Sequence, residues 1–111
     1  MSSPNAIVDH VITAGAAQDT AGGIGSAKTR GHLAWACTVV FGAGTGAGVI
    51  TVETAPNAEF TGTWHSLGTI TWAAANRAHY LRGDGPVMAL RARISTAVTG
   101  GTCEVYLHAV D

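Results

Sequence analysis

From His32 to Phe41 the chain alternates strictly, with Leu33, Trp35, Cys37, Val39 and Phe41 on one parity and His32, Ala34, Ala36, Thr38 and Val40 on the other. Successive side chains of an extended chain point to opposite sides, so this period of two predicts a strand with one strongly buried face. GVITVETA repeats the period, with Ile50 and Val52 on one side and Thr51 and Glu53 on the other. VMALRARIS does so again, with Met88, Leu90, Ala92 and Ile94 expected inward and Ala89, Arg91 and Arg93 outward. TCEVYLHAV places Cys103, Val105, Leu107 and Ala109 inward and Glu104, Tyr106 and His108 outward. AIVDHVIT, residues 6 to 13, is β-branched, lies between Pro4 and Gly15, and reads as a further short strand.

Other stretches are less regular. In TWHSLGTITW the residues Trp64, Leu67, Ile70 and Trp72 break strict alternation, so a bulge or tight turn between two short strands is expected near Ser66 to Gly68. AAANRAHY, residues 73 to 80, fits either one helical turn or a crossover loop, and LRGDGP reads as a turn by composition. Ala14 to Gly31 has no apolar period and few anchoring side chains, so it reads as an arm or long loop, either flexible or ordered against a neighbour. Seven or so short strands at this spacing predict an all-β fold, an antiparallel β-sandwich with a jelly roll as the closest variant. The chain divides into an N-terminal strand and arm, 1–31, and a sandwich, 32–111. On that division, deleting the arm leaves the sandwich folded.

The run FGAGTGAGVI contains G-A-G-T-G-A, which satisfies the dinucleotide fingerprint G-x-G-x-x-G/A. Pyrophosphate binding there requires the glycines to open a helix within a βαβ unit. Here they lead into a β-rich run, and Lys28, the only lysine, lies upstream where no Walker loop can use it. The glycines are expected instead to supply positive φ angles to a hairpin loop between two strands.

With 111 residues, 47% of them hydrophobic, the chain suits one core in one domain. Charged residues are 12% of the chain, about half the usual share, which suits either faces partly covered by other subunits or a lone small β-domain. Six Lys+Arg against seven Asp+Glu give a net charge of -1 with no basic run, so nucleic acid is not an expected partner. The N-terminal residues carry neither a signal pattern nor an apolar run of spanning length, so no membrane partner is expected.

No catalytic constellation is expected, and no enzyme, cofactor or metal. The histidines His10, His32, His65, His79 and His108 have no ligand spacing. Among Glu53, Glu59, Asp84 and Glu104, cross-strand pairing of Glu53 and Glu104 with Arg91 and Arg93 explains more than an acid–base pair does. Ser26, Ser66 and Ser95 lack a neighbouring base or elbow motif. Cys37 and Cys103 lack CxxC spacing and are expected to be free, buried thiols. Arg82-Gly83-Asp84 spells an adhesion tripeptide, for which turn chemistry is the simpler account. Trp35 belongs to the inward set; Trp64 and Trp72 fit either the core or a sugar-stacking platform.

GVITVETAPNAEFTGTWHSLGTITW followed by VMALRARISTAVTGGTCEVYL resembles small structural β-sandwich proteins of tailed-bacteriophage virions. The shared features are a V-E-x-A/S-P strand and turn, a G-T-W-x-x-L-G-T-I hairpin, and L-R-A-R-I-S…T-G-G-T…V-Y-L. The likeness covers about residues 34 to 110 and leaves 1–31 outside. It implies a non-enzymatic capsid decoration, or cement, protein on the virion's capsid surface, made in the host cytoplasm. Its implied partners are the major capsid protein and copies of itself, as a homotrimer. A tail-fibre or baseplate module that binds a receptor or carbohydrate is the alternative. Position alone nominates Ile24, Lys28, Arg30, Arg82 and Asp84 as capsid or subunit contacts.

Overall fold

The computed structural model describes residues 6–15, 17–20, 22–26, 32–57, 59–73 and 77–110, and these form eight strands. They are β1 (Ala6–Ile12), β2 (Ile24–Ser26), β3 (His32–Phe41), β4 (Ala47–Ala55), β5 (His65–Thr71), β6 (Arg77–Val87), β7 (Ala89–Thr99) and β8 (Cys103–Val110). Two four-stranded antiparallel sheets result, ordered β1-β8-β3-β6 and β2-β7-β4-β5. The pairs are nested: β1 with β8, β2 with β7, β3 with β6, β4 with β5. Rolling such a hairpin brings β3 beside β8 and β4 beside β7, which closes each sheet. This is the jelly roll.

The alternation of β3 places Trp35, Cys37, Val39 and Phe41 between the sheets. Ile12, Ile50, Val52, Ile70, Leu90, Ala92, Ile94, Val98, Cys103, Val105 and Leu107 complete that core. Met88 departs from the inward set and is 56% exposed. It is the single residue between β6 of one sheet and β7 of the other, so strand parity restarts at Ala89. A further departure is at β5, which is one strand and not two. Its pairing with β4 steps from Val52↔Gly68 to Glu53↔Ser66, leaving Leu67 as the extra residue of a bulge.

The glycine-rich run is not a hairpin loop, because β3 and β4 belong to different sheets and Gly42–Gly46 crosses between them. Gly44 (φ 84°) meets Gly100 (φ 81°) of the β7–β8 turn, each where a Cβ would strike the other's carbonyl oxygen. The Gly42 and Gly46 amides donate to Thr102 and Thr99 carbonyls at 2.7 and 2.9 Å. Amides committed to a neighbouring turn have no bond left for a pyrophosphate.

The N-terminal segment set apart from the sandwich supplies a strand to each sheet: β1, expected as a strand, pairs with β8, and β2, from within the stretch read as an arm, pairs with β7. Between them, Gln18 ties three elements together. Its side chain donates to Thr13 O (3.2 Å) and accepts from Cys103 N (2.8 Å), while its carbonyl accepts from Val98 N (2.9 Å). Gly25 lets β2 lie directly against the Val11 carbonyl of β1, where any Cβ would collide.

LRGDGP is likewise not a turn; it continues β6, pairing Arg82 with Ala36, Gly83 with Trp35 and Asp84 with Ala34. Turn-rich composition survives here for two reasons. A Cβ on Gly83 would lie 2.5 Å from the Trp35 ring, so glycine makes room for that indole. Pro86 is tolerated because β6 is an edge strand, with a register shift opposite it.

Candidate functional site

β3 turns Trp35, Cys37, Val39 and Phe41 inward, and the middle of its outward row is small: Ala34, Ala36 and Thr38. Register then decides what stands on either side of that row. On β6, Thr38 faces Tyr80, Ala36 faces Arg82 and Ala34 faces Asp84. On β8, Thr38 faces Tyr106 and Ala36 faces His108. Small residues flanked by large ones make a trough of about 430 Å³ on the outer face of the sheet. Ala34, Ala36 and Thr38 form its floor, with Tyr80, Arg82 and Asp84 along one wall and His108 along the other. That volume lies within the range of small-molecule sites.

The two tyrosines beside Thr38 differ sharply. Tyr106 is committed: its ring stacks on His10 at 4.3 Å and 14°, and its hydroxyl donates to Glu104 Oε2 at 3.0 Å. The bond to Glu104 raises the phenol pKa above its ordinary 10.0, with burial and the carboxylate charge adding to it. His10 Nε2 lies 3.1 Å from the same oxygen. Tyr80 is 63% exposed and makes no hydrogen bond or ring contact among the described residues. Arg82 and Asp84 are exposed and, among the described residues, unpaired. His108 Nε2 approaches Thr38 Oγ1 at 3.4 Å across the floor.

Of the residues nominated from sequence, the fold brings together Arg82 and Asp84. Ile24 is 45% exposed on the other sheet, and Lys28 and Arg30 lie outside the described residues. Tyr80, Thr38 and His108 were not nominated. Tyr80, Arg82 and Asp84 share one parity in the sequence, but turn composition at Gly83–Pro86 obscures it.

Several of the other candidate groups are engaged within the sandwich. Glu53 is buried, and Arg91 Nε reaches its Oε1 at 2.8 Å while Arg93 Nη2 reaches Oε2 at 3.3 Å. Arg91 also lies 4.2 Å over the Trp64 ring, and Trp64 Nε1 donates to Phe60 O at 3.1 Å. Trp64 is therefore a buried support for the ion pair and offers no sugar platform. Trp72 packs against the core, its buried Nε1 without a hydrogen-bond partner among the described residues. Glu104 pairs on the opposite sheet from the arginines, with His10 and not with Arg91 or Arg93. No group of three or more metal-ligating side chains forms among the described residues. No helix among them is long and apolar enough to cross a membrane.

Cys37 and Cys103 are free and fully buried. Burial pushes the Cys37 thiol from 9.0 to about 12, with the neighbouring Cys103 adding to it, and the Cys103 thiol to about 11, with the Glu104 charge adding to it. Both stay protonated in the native protein through neutral and mildly alkaline pH. We expect thiol reagents at pH 8 to modify neither cysteine before unfolding and both afterwards. Rapid native modification at either position would contradict this burial. The sign for stability follows: a raised native pKa contributes nothing below about pH 9 and destabilises the fold as pH climbs from there towards 12.

No protein-family model matches the chain, and no curated protein does. Solved structures similar to it are β-sandwiches. An endospore appendage protein from Bacillus, of a family described as disulfide-linked pili, is 17% identical with a TM-score of 0.44, over 96% of this chain and 90% of that one. The CBM22-1 xylan-binding domain of Xyn10C from Paenibacillus barcinonensis is 13% identical with a TM-score of 0.45, over 92% of this chain and 79% of that one. The CBM22-1–GH10 modules of xylanase 10B from Clostridium thermocellum, complexed with xylohexaose, are 10% identical with a TM-score of 0.46. This chain, 99% covered, spans 25% of that xylanase chain's length.

Proposed function

We propose that the chain is a non-enzymatic structural protein of a bacteriophage virion. In this reading it decorates the capsid, binding the major capsid protein on the outer head surface as a homotrimer. The observation that carries the reading is the pair of exposed apolar anchors, Ile24 on the short edge strand β2 and Met88 at the β6–β7 switch, on a chain with little charge. Methionine is enriched at protein interfaces relative to the rest of the surface, and these two side chains are the candidates for contact with neighbouring subunits. A decorating protein needs only modest energy per contact, because symmetric copies act together. The resemblance of residues 34 to 110 to phage virion proteins supports the same reading.

Light scattering coupled to size exclusion, with dilution to low micromolar, tests it first; a stable trimer is expected, and a monomer at every concentration counts against the symmetric staple. Co-sedimentation with capsids tests it next. Ile24→Ser with Met88→Ser is expected to leave the melting temperature within a few degrees and reduce capsid binding at least tenfold, which is about 1.4 kcal/mol. Unchanged capsid binding in that variant would count against these anchors.

A second reading is favoured by the trough: a recognition module of a tail fibre or baseplate, in which the β1-β8-β3-β6 face meets a receptor or carbohydrate.

A further inference from the structure

The trough narrows that second reading, on which the following inference rests, to one ligand chemistry. We propose that it binds a neutral, unbranched oligosaccharide segment, with a sugar ring stacked on Tyr80 and its hydroxyls shared between Arg82, Asp84 and His108.

Three observations converge on this chemistry. The first is an aromatic face with no other use, since Tyr80 is 63% exposed while its counterpart Tyr106 is held by His10 and Glu104. A pyranose presents a face of C–H bonds that an aromatic ring can cover, and Tyr contributes such area at low entropic cost. The second is charge. Arg82 and Asp84 are two residues apart on one strand and carry opposite signs, so the wall has donors and acceptors for hydroxyls but no net field to select an anion. The third is shape. Arg82 and His108 both flank Ala36, which sets their backbones two strand spacings apart, about 10 Å. A gap on the order of a sugar ring, floored by alanines and open to solvent, suits an extended chain passing through.

The free wall of polar groups explains why the site is sugar-like and not a protein-docking patch. A protein partner burying Arg82 and Asp84 would have to supply a matching partner for each charge. Sugar hydroxyls both donate and accept, so one ligand type satisfies both, together with the His108 ring.

The test uses the full chain, isotope-labelled, titrated with neutral gluco-, manno- and galacto-oligosaccharides and with sialylated counterparts, read by amide chemical shifts. The expected result is binding of at least one neutral oligosaccharide, with shifts confined to residues 34–38, 80–84 and 106–108. Tyr80→Ala is expected to weaken binding at least tenfold, and Arg82→Met and Asp84→Asn several-fold each. Tyr80→Phe, which keeps the ring, should retain most of it. All three side chains concerned are on the surface, so the thermal melts should stay within a few degrees of the parent.

Each other outcome overturns the inference in a distinct way. Shifts centred on another surface would remove the trough while leaving a carbohydrate-binding module standing. Binding of sialylated ligands alone would replace the neutral class with an anionic one. No binding by any sugar, together with loss of capsid co-sedimentation in Tyr80→Ala, would make the trough a protein contact and leave the decoration reading intact. No binding and no effect on co-sedimentation would dismiss the trough as a site.

Discussion

Deletion of residues 1–31 is expected to abolish cooperative folding. The segment carries β1, whose loss leaves β8 paired on one side only, and β2, whose loss bares the edge of β7. It also carries Ile12, which is 2% exposed within the core. Removing a buried isoleucine side chain costs about 2–5 kcal/mol, against a total stability of about 5–15 kcal/mol for a domain. Gln18 goes as well, leaving the buried Cys103 amide without its acceptor. Circular dichroism should show no sigmoidal melt, and tryptophan emission should shift towards that of the urea-unfolded chain. A truncated protein that melts within a few degrees of the full chain would refute the integral role of β1 and β2.

The second large effect lies on the other sheet. Glu53 sits opposite Arg91 on adjacent strands, 5% exposed, between two guanidinium groups that are themselves about a fifth and a third exposed. Glu53→Ala leaves both cations beside an apolar site with no counter-charge. Breaking a buried pair costs about 3–5 kcal/mol, and the partial exposure of the arginines sets the expectation at the lower end, about 3 kcal/mol. The urea midpoint reports it, and Trp64 fluorescence should change too, because Arg91 loses the anchor that holds it over that ring. Replacing Glu53, Arg91 and Arg93 together with leucine should recover most of the loss, since removing the whole network leaves no charge stranded. A loss below about 1 kcal/mol for Glu53→Ala would mean that the arginines find water instead.

The difference between what was legible in the sequence and what was not follows parity. Where a strand buries one face and has no interruption, as in β3 and β8, alternation alone identified Trp35, Cys37, Val39, Phe41, Cys103, Val105 and Leu107 as inward, and the sandwich followed from several such runs. Parity misled at Met88, because a strand that changes sheets resets its facing. Composition misled at Gly83–Pro86. Glycine there makes room for Trp35, and no property of the local sequence reveals a partner about fifty positions away. The same holds for the β3–β4 crossing, where glycines that look like a hairpin loop are shaped by the Gly100 turn. The trough was the least legible feature. It depends on the register of β6 and β8 against β3, and register is a relation between strands that no single stretch encodes.

The nested pairing also bears on the order in which the molecule is made. β4 and β5 are the innermost pair and can meet as soon as both have emerged. β8 is the last of these eight strands to be translated, yet it stands between β1 and β3 inside its sheet. At a synthesis rate of about 5–20 residues per second, β1 and β3 are therefore exposed for seconds with an apolar face and no strand between them. The growing chain holds an unfinished sheet until Cys103–Val110 clears the ribosome, and during that interval it depends on dilution or chaperones to avoid pairing with a neighbour.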